Sequence, residues 1–273
     1  MSRELDELLR VMVRLRAPDG CPWDREQTPL SLAPYVLEEA YEVVAAIESG
    51  ESASLRDELG DLLLQVVFHA QIAAEQGSFD FAAVAAGIRA KLIRRHPHLF
   101  ATDGATPAVG SAAEQTVAWE DIKAEERRAA RESRTAGAGI SQLDDIPASL
   151  PALLRANKLS KRAARVGFDF DDASQAADKV AEELAEVREA AAANPAADPS
   201  PQVSEEVGDL LFAAVNLARK LGVDPESALR AANGKFERRF RGMERLAGER
   251  GLAFEQLELP VQEELWQEMK RCE

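Results

Sequence analysis

Hydrophobic residues recur every three or four positions along most of the chain, the spacing of one face of an α-helix. Leu5, Leu8, Met12 and Leu15 show this spacing near the start. The same pattern predicts helices over residues 3–16, 35–48, 54–76, 81–96, 150–166, 173–193, 203–221, 225–247 and 263–271, with a charged helix opening at Trp119. Val and Ile seldom alternate with polar residues, as they would in strands. We therefore predict an all-α protein.

Proline and glycine interrupt these patterns and mark the connections. Residues 101–112 are predicted to form a loose connection, and residues 194–201 a long turn. Residues 127–147 combine charge with small side chains and lack an apolar stripe, which is typical of linkers. We therefore predict an N-terminal helical domain at 1–126, a linker at 127–147 and a C-terminal helical domain at 148–273.

The two halves carry the same acidic motif on consecutive predicted helices. The first copy reads Glu38-Glu39-x-x-Glu42 and then Glu58-x-Gly60-Asp61, and the second reads Glu182-Glu183-x-x-Glu186 and then Glu206-x-Gly208-Asp209. Two further motifs recur in the same order: Lys91-x-x-Arg94-Arg95 as Lys235-x-x-Arg238-Arg239, and Trp119-x-x-x-Lys123 as Trp266-x-x-x-Lys270. Such ordered matches predict a tandem repeat of two helical-bundle domains.

Composition narrows the class of partner. The 273 residues carry a formal net charge of −15, which argues against nucleic acid as the main partner. Cys21 and Cys272 have no C-x-x-C spacing, so neither a disulfide framework nor a zinc site is predicted. The N-terminus lacks an apolar signal core, and no apolar run approaches the ~18 residues of a membrane span. We expect a soluble, cytoplasmic protein without a membrane partner.

The acidic motif predicts a metal site. Spacings of three and four residues place its carboxylates on one helix face, where like charges repel. Two such helices packed antiparallel would bring four or five carboxylates together, at a cost unless a cation neutralises them. Hard divalent cations prefer oxygen ligands. Magnesium is the working hypothesis, with manganese possible.

The acidic residues have three other interpretations: a solvated helix face, a di-iron site and a calcium-binding loop. They could form a solvated helix face, although each group lies beside an apolar stripe. No His follows a Glu by three residues, which disfavours a di-iron site. Asp169-x-Asp171 begins like a calcium-binding loop, but Ser174 and Val180 stand where Gly and Glu are required.

The basic motif and the tryptophans each have two readings. Lys and Arg near a helix C-terminus complement the helix dipole, but beside a metal cluster they could clamp a phosphate. Trp119 and Trp266 could pack in a core or stack on a nucleobase. No P-loop motif is present. Metal, carboxylates and basic residues together favour phosphoryl or nucleotidyl transfer to water, without indicating which phosphorus is attacked.

These motifs resemble the MazG family of all-α nucleoside triphosphate pyrophosphohydrolases over nearly the whole chain. The resemblance is carried by the paired acidic motif together with five stretches: residues 21–24 (Cys-Pro-Trp-Asp), 58–63, 96–100 (His-Pro-His-Leu-Phe), 166–169 (Val-Gly-Phe-Asp) and 235–240. It implies two MazG-like helical domains in tandem and hydrolysis of nucleoside triphosphates between the α and β phosphates. It also implies magnesium, broad base tolerance, a housecleaning role and a homodimer.

The resemblance assigns roles residue by residue. In the second copy, Glu183, Glu186, Glu206 and Asp209 would hold magnesium and form the catalytic centre. The substrate-binding set implied there is Lys179, Glu182, Glu205, Lys235, Arg238, Arg239 and Trp266, with Trp266 on the base. In the first copy, the matching metal ligands would be Glu39, Glu42, Glu58 and Asp61, with Lys91 and Arg95 toward phosphate.

The copies also differ. No lysine of the first copy matches Lys179, and Leu37 stands where the second copy has Ala181, which favours the second copy as the active one. The first copy is intact in its acidic residues, so activity in both remains open. Two other functions also remain open: a helical dimerisation or regulatory module, and a metal-dependent phosphatase that removes the terminal phosphate.

Overall fold

The computed structural model describes residues 3–100, 110–132, 141–193 and 200–272. These residues form helices joined by turns, and none of them lies in a strand. The chain divides into two compact units, residues 1–135 and 136–273. The all-α fold with two helical domains in tandem is therefore confirmed. None of the described helices is long and apolar enough to cross a membrane.

The first unit contains seven helices within its described residues. They are α1 (Arg3–Arg16), α2 (Pro22–Glu26), α3 (Pro29–Ser49), α4 (Ser52–Glu75), α5 (Phe81–Arg95), α6 (Pro97–Phe100) and α7 (Ala112–Glu132). Helices α3 and α4 pack side by side along their lengths, and α4 also contacts α1 and α5.

The second unit repeats this order within its described residues. Its helices are α8 (Ala152–Ala164), α9 (Ala173–Ala193), α10 (Pro201–Lys220), α11 (Pro225–Glu249) and α12 (Leu259–Arg271), with one 3-10 turn at Phe254–Gln256. Helices α9 and α10 pack side by side, and α8 contacts both α10 and α11. The acidic motifs lie on α3 and α4 in the first unit and on α9 and α10 in the second.

The predicted helices agree with these bounds except at several starts. Helix α3 begins at Pro29, where the Thr28-Pro29 pair predicts a helix start, and it continues through Pro34 into the acidic helix predicted from residue 35. Thr28 caps it, because the Thr28 hydroxyl accepts from the Ser31 N–H and the Ser31 hydroxyl accepts from the Thr28 N–H. Helices α7 and α12 also begin earlier than predicted, and the short helices α2 and α6 were not anticipated.

The predicted connections fall largely outside the described residues. This applies to 101–109 of the predicted loop, 133–140 of the predicted linker and 194–199 of the predicted turn. Residues 127–132 of the predicted linker continue α7. The linker boundaries therefore stay a prediction.

The cores of the two units occupy different places. In the first unit, a buried cluster joins α1, α3 and α4, and its members are Met12, Leu32, Val67, Phe68 and Ile72. In the second unit, Met243, Ala247 and Leu265 form a buried cluster between α11 and α12. Gly242 allows this approach, since a Cβ there would meet the end of the Met269 side chain at 2.5 Å.

Candidate functional site

Three carboxylates of the second unit converge where α9 meets α10. Glu183 and Glu186 lie one turn apart on α9, and Glu206 faces them from α10. One oxygen from each lies within 4.8 Å of the others. Ser200 fixes the start of α10, because its hydroxyl accepts from the Val203 N–H at 3.2 Å. Asp209 lies one turn beyond Glu206 and lines the neighbouring cavity rather than joining this group.

The first unit builds a similar cluster from the matching positions. Oxygens of Glu39, Glu58 and Asp61 lie within 4.8 Å of one another. Glu42 stands outside this group of three but acts on Glu58, whose pKa is raised by desolvation and then by the neighbouring Glu42. Each unit therefore brings three of the predicted four metal-binding carboxylates together, with the fourth beside them.

Crowding perturbs these acids in both units. Desolvation, followed by repulsion from Asp61, Glu42 and Glu38, raises the pKa of Glu39. Desolvation and the neighbouring Glu183 likewise raise the pKa of Glu186. A raised carboxyl pKa means that the negative charge is held at a cost, which a bound cation would relieve. The donor set is oxygen only, and this suits magnesium or manganese.

Lys179 distinguishes the second cluster from the first. Its ammonium group lies one turn before the acids on α9 and pairs with Glu182 at 2.7 Å and with Glu183 at 2.8 Å. These two partners raise the pKa of Lys179, so its side chain stays protonated and positively charged. Glu183 is buried, at 6% exposure. The aligned position in the first unit holds Tyr35, which carries no positive charge.

A cavity of about 600 Å³ opens beside the second cluster. Its polar rim includes Lys179, Glu183 and Asp209. The remaining lining comes from the segment before α8, from α8 itself, from the loop after it and from α10. It is mostly apolar and consists of Leu143, Leu159, Ser160, Ala163, Gly167, Phe168, Asp169, Phe170, Phe212, Ala213 and Asn216. Phe168 is 82% exposed, so this side of the cavity is open to solvent.

An ion-pair network holds the loop of this cavity against α10. Asp169 accepts hydrogen bonds from Arg219 and, at 2.8 Å, from Lys220. Those two cations hold the pKa of Asp169 well below its usual range. Arg219 also donates to the Asn216 side-chain oxygen at 3.1 Å. Helical spacing did not predict these roles, although Asn216 is a polar residue within the apolar stripe of α10.

The other predicted substrate residues lie elsewhere in the second unit. Glu205 and Glu182 are exposed, and Glu182 pairs with Lys179. Lys235, Arg238 and Arg239 lie on α11 and Trp266 on α12, and none of the four lines the cavity. The Trp266 ring contacts Phe236, with 5.5 Å between ring centroids, and Arg239 lies over its face.

In the first unit, two of the three matching cations, Arg94 and Arg95, have an internal partner. Glu126 of α7 pairs with Arg94 and with Arg95, each at 2.6 Å. The two guanidinium groups lower the pKa of Glu126 to about 2. Glu126 thus occupies the forked donors that a phosphate would otherwise use.

Comparisons with known proteins agree with the duplicated architecture. Residues 27–100 match the family model of the MazG nucleotide pyrophosphohydrolase domain, and residues 157–235 match that of phosphoribosyl-ATP pyrophosphohydrolase. The nucleoside triphosphate pyrophosphohydrolase of Escherichia coli K12 is 51% identical over 271 residues, covering 99% of this chain and 98% of the relative.

A second bacterial relative is also similar to this chain over nearly its whole length. The nucleoside triphosphate pyrophosphohydrolase/pyrophosphatase MazG of Thermotoga maritima is 45% identical over 97% of this chain and 95% of the relative. A solved structure, a mazG-related protein from Thermotoga maritima, aligns with a TM-score of 0.36 at 24% identity, over 44% of this chain and 98% of that chain. The chain belongs to the MazG family of nucleoside triphosphate pyrophosphohydrolases.

Proposed function

We propose that this protein hydrolyses nucleoside triphosphates between the α and β phosphates in a magnesium-dependent reaction, giving the monophosphate and pyrophosphate. The observation that carries the proposal is the convergence of Glu183, Glu186 and Glu206 beside Lys179 and a cavity. Full-length similarity to relatives named for this activity supports the same reaction. A role in clearing unwanted nucleotides from the cellular pool would follow from it.

The acidic cluster of the second unit suits a divalent cation. Glu183, Glu186 and Glu206 would hold it, with Asp209 close by. A cation held by these residues would supply positive charge to offset the negative charge that develops on the phosphates in the transition state. Without a cation, desolvation and the neighbouring Glu183 raise the pKa of Glu186. Glu39, Glu42, Glu58 and Asp61 are the corresponding proposal for the first unit.

Side chains of this protein would contact the phosphates and activate the attacking water. Lys179 presents a fixed positive charge at the mouth of the cavity, where it can contact a phosphate once a cation relieves its pairing with Glu183. One carboxylate of the cluster would orient a water molecule and accept its proton. Lys235, Arg238 and Arg239 remain proposed phosphate contacts. For Trp266, a packing role is favoured, because its ring is already in contact with Phe236 and Arg239.

Product analysis tests the reaction itself. Purified protein is incubated with a panel of nucleoside triphosphates, with and without magnesium. The proposal predicts pyrophosphate and monophosphate in equal amounts, and only with the metal. Orthophosphate and diphosphate would instead indicate a terminal phosphatase. Absence of any product from folded protein would favour the dimerisation or regulatory module.

Two variants locate the reaction. Glu186→Ala and Asp209→Ala should each abolish turnover while the circular dichroism spectrum and melting temperature stay close to the parent's. Glu205 is an exposed acid on α10, next to Glu206 of the cluster. The variant Glu205→Gln tests the prediction that Glu205 contacts the substrate. Full turnover in the first two variants would move the reaction to the first unit.

We also propose a homodimer. Each unit leaves large apolar side chains exposed on its acidic helices, such as Leu184 at 39%, Val207 at 38% and Leu211 at 54%. A soluble monomer rarely exposes such residues contiguously. In addition, a Cβ at Gly208 would meet no atom within 4 Å, so this protomer provides no packing reason for the glycine. Light scattering after size-exclusion chromatography should give about twice the 29.7 kDa of one chain.

A further inference from the structure

We propose that the cavity of the first unit binds a free α-amino acid with an apolar side chain, whose carboxylate faces Arg10 and whose ammonium group faces Asp80. The cavity lies apart from the acidic cluster of this unit, and its ligand takes no part in nucleotide hydrolysis. The inference is therefore independent of the proposed reaction and gives the first unit a binding activity of its own.

The cavity lies where three helices of the first unit meet. Helix α1, the C-terminal half of α4 and the start of α5 enclose a volume of about 350 Å³. This volume falls within the range of pockets that enclose small ligands. None of the carboxylates Glu39, Glu58 and Asp61 lines the cavity, so it is a different place from the predicted metal site.

The floor of the cavity is apolar and belongs to the core of the unit. Met12 and Val67 are each 1% exposed, and Ala70 is also buried. Val13 on α1 and Ala74 on α4 are exposed, so the cavity opens to solvent on that side. A ligand with an apolar end would therefore gain free energy by removing its own surface and this lining from water.

Two opposite charges stand at the open edge of this apolar space. Arg10 comes from α1 and Asp80 from the turn before α5, and both are exposed. Within the described part of the chain they form no ion pair with each other, and Arg10 has no carboxylate partner there. Asp80 uses its Oδ1 atom to cap α5, since this oxygen accepts from the Ala83 N–H at 2.8 Å. No described donor uses the second oxygen of Asp80.

The second unit shows how such a capping acid is neutralised from within the protein. Asp224 caps α11 as Asp80 caps α5, by accepting from the N–H three residues further on. Hydrogen bonds from the first turn of α11, and then the charges of Lys161 and Arg230, lower the pKa of Asp224. With the two caps aligned, Ala86 of α5 stands at the position of Arg230. The capping acid of the first unit therefore lacks the cation that α11 supplies to its counterpart.

An apolar α-amino acid matches the floor and both charges at once. Its side chain would enter the space above Met12 and Val67. Its carboxylate would accept from the Arg10 guanidinium, and its ammonium group would donate to Asp80. A simple carboxylate would be repelled by Asp80, and a simple amine would be repelled by Arg10. The two opposite charges at the open edge therefore select a zwitterion.

The ligand class is tested by calorimetry on the full chain, with L-leucine as the probe. N-acetyl-L-leucine lacks the ammonium charge, L-leucinamide lacks the carboxylate, and glycine lacks the apolar side chain. L-leucine should bind at least about tenfold more tightly than each of these, because each loses a charge-assisted hydrogen bond or a buried side chain. Equal affinity for N-acetyl-L-leucine would overturn the inference. Absence of binding of L-leucine, L-methionine and L-phenylalanine up to about 10 mM would overturn it as well.

Two variants assign the charges. Arg10→Gln should weaken binding of L-leucine about tenfold and change binding of L-leucinamide, which has no carboxylate, by less than about twofold. Asp80→Asn keeps a residue that caps helices, and it should weaken binding of L-leucine but not of N-acetyl-L-leucine. Arg3→Gln, an exposed change on α1 outside the cavity lining, is the matched control. Equal losses for the charged ligand and its analogues would assign these residues a structural role and overturn the inference.

The place of the ligand is tested by filling the cavity from its open side. Ala74→Leu adds an apolar side chain there without changing the buried floor, and it should weaken binding of L-leucine by more than about tenfold. Ala85→Leu makes the same change at an exposed position of α5 outside the lining and serves as the control. Melting temperatures of both unliganded variants near the parent's show that they are folded. Equal affinity in the two variants would overturn the assignment of the cavity.

Hydrogen exchange in the parent locates the ligand without any substitution. A ligand that binds only the folded form stabilises it, so saturating L-leucine should slow exchange of amides in α1 and α5. Exchange in α9 and α10 of the second unit should be unchanged. Protection confined to the second unit would contradict the inference, whatever the outcome of the pyrophosphate assay.

Discussion

Corresponding helices build a filled core in the first unit and line an open cavity in the second. In the first unit, α1, α3 and α4 bury Met12, Leu32, Val67 and Phe68 among their contacts. In the second, α8 and α10 and the adjoining loop line a space of about 600 Å³ beside the acids. The first unit does have a cavity of about 350 Å³, but none of Glu39, Glu58 and Asp61 lines it. Both units keep the acidic cluster, and they differ in the residues that surround it.

The positive charges near the two clusters also differ between the units. The second unit supplies Lys179 at the rim of the cavity, whereas Tyr35 stands at the aligned position of the first. Arg94 and Arg95 of the first unit are paired with Glu126. The second unit therefore differs from the first in two respects: it has a cavity and a lysine beside its carboxylates.

The largest expected effect comes from giving the second unit the first unit's side chains. When Asp61 is aligned with Asp209, Gln65 and Phe68 stand at the positions of Ala213 and Asn216. The double variant Ala213→Gln, Asn216→Phe should lower kcat/KM for nucleotides by more than about 100-fold, because the larger side chains fill the cavity beside the acidic cluster. Steady-state assays measure the effect, and a melting temperature near the parent's shows that the unit remains folded. Full activity in this variant would mean that the contrast between the units has no bearing on catalysis.

Loss of the lysine should have a smaller effect. Lys179→Gln removes a charge that would contact phosphate and should raise KM for nucleotides about tenfold, the contribution of one charge-assisted hydrogen bond. Lys158→Gln, an exposed change on α8 outside the cavity lining, is the control. If Lys179 only stabilised Glu183, kcat and melting temperature would change and KM would not.

The pairing of Glu126 should affect stability of the first unit and leave catalysis unchanged. Glu126→Gln breaks partly exposed ion pairs to Arg94 and Arg95, and should lower the unfolding free energy of this region by about 1 kcal/mol. Hydrogen exchange of α5 amides in the full chain measures this loss. The control is Glu125→Gln, an exposed neighbour on the same helix. Reduced pyrophosphate release in Glu126→Gln would show that the first unit takes part in turnover.

The smallest effect concerns pH. The pKa of Asp169 is lowered in the folded protein, so its ion pairs contribute stability above the ordinary aspartate pKa of 3.8 and lose that contribution as pH falls below it. Between pH 6 and pH 3, the parent should lose up to about 1 kcal/mol more stability than Asp169→Asn, since the pairs are partly exposed. Thermal unfolding across this range makes the comparison, and parallel curves for the two proteins would contradict it.

The sequence predicted helices and acidic clusters well because both depend on local spacing. Periodic apolar residues gave the bounds of α1, α4, α5 and α9 to within about two residues, the usual uncertainty of a helix end. The helix start at Thr28-Pro29 was also predicted, but the acidic helix over residues 35–48 proved to be its continuation, because Pro34, usually a helix breaker, is accommodated inside α3.

The cavity could not be predicted in this way. Asp169 and Arg219 are 50 positions apart, and only folding brings them together. The roles of Ala213 and Asn216 depend on how much space α8 and its loop leave beside α10, which periodicity does not encode. Gln65 and Phe68 are larger than the aligned Ala213 and Asn216, and only a comparison of the two folded units shows that they are buried where the second unit has its cavity.

The most direct test of the account changes the same acid in each unit. Glu183→Gln and its counterpart Glu39→Gln are assayed side by side for magnesium-dependent pyrophosphate release, each in the full chain. The account predicts that Glu183→Gln loses activity by at least about 100-fold, while Glu39→Gln keeps most of it. The opposite pattern, or equal losses in both variants, would contradict the assignment of the reaction to the second unit.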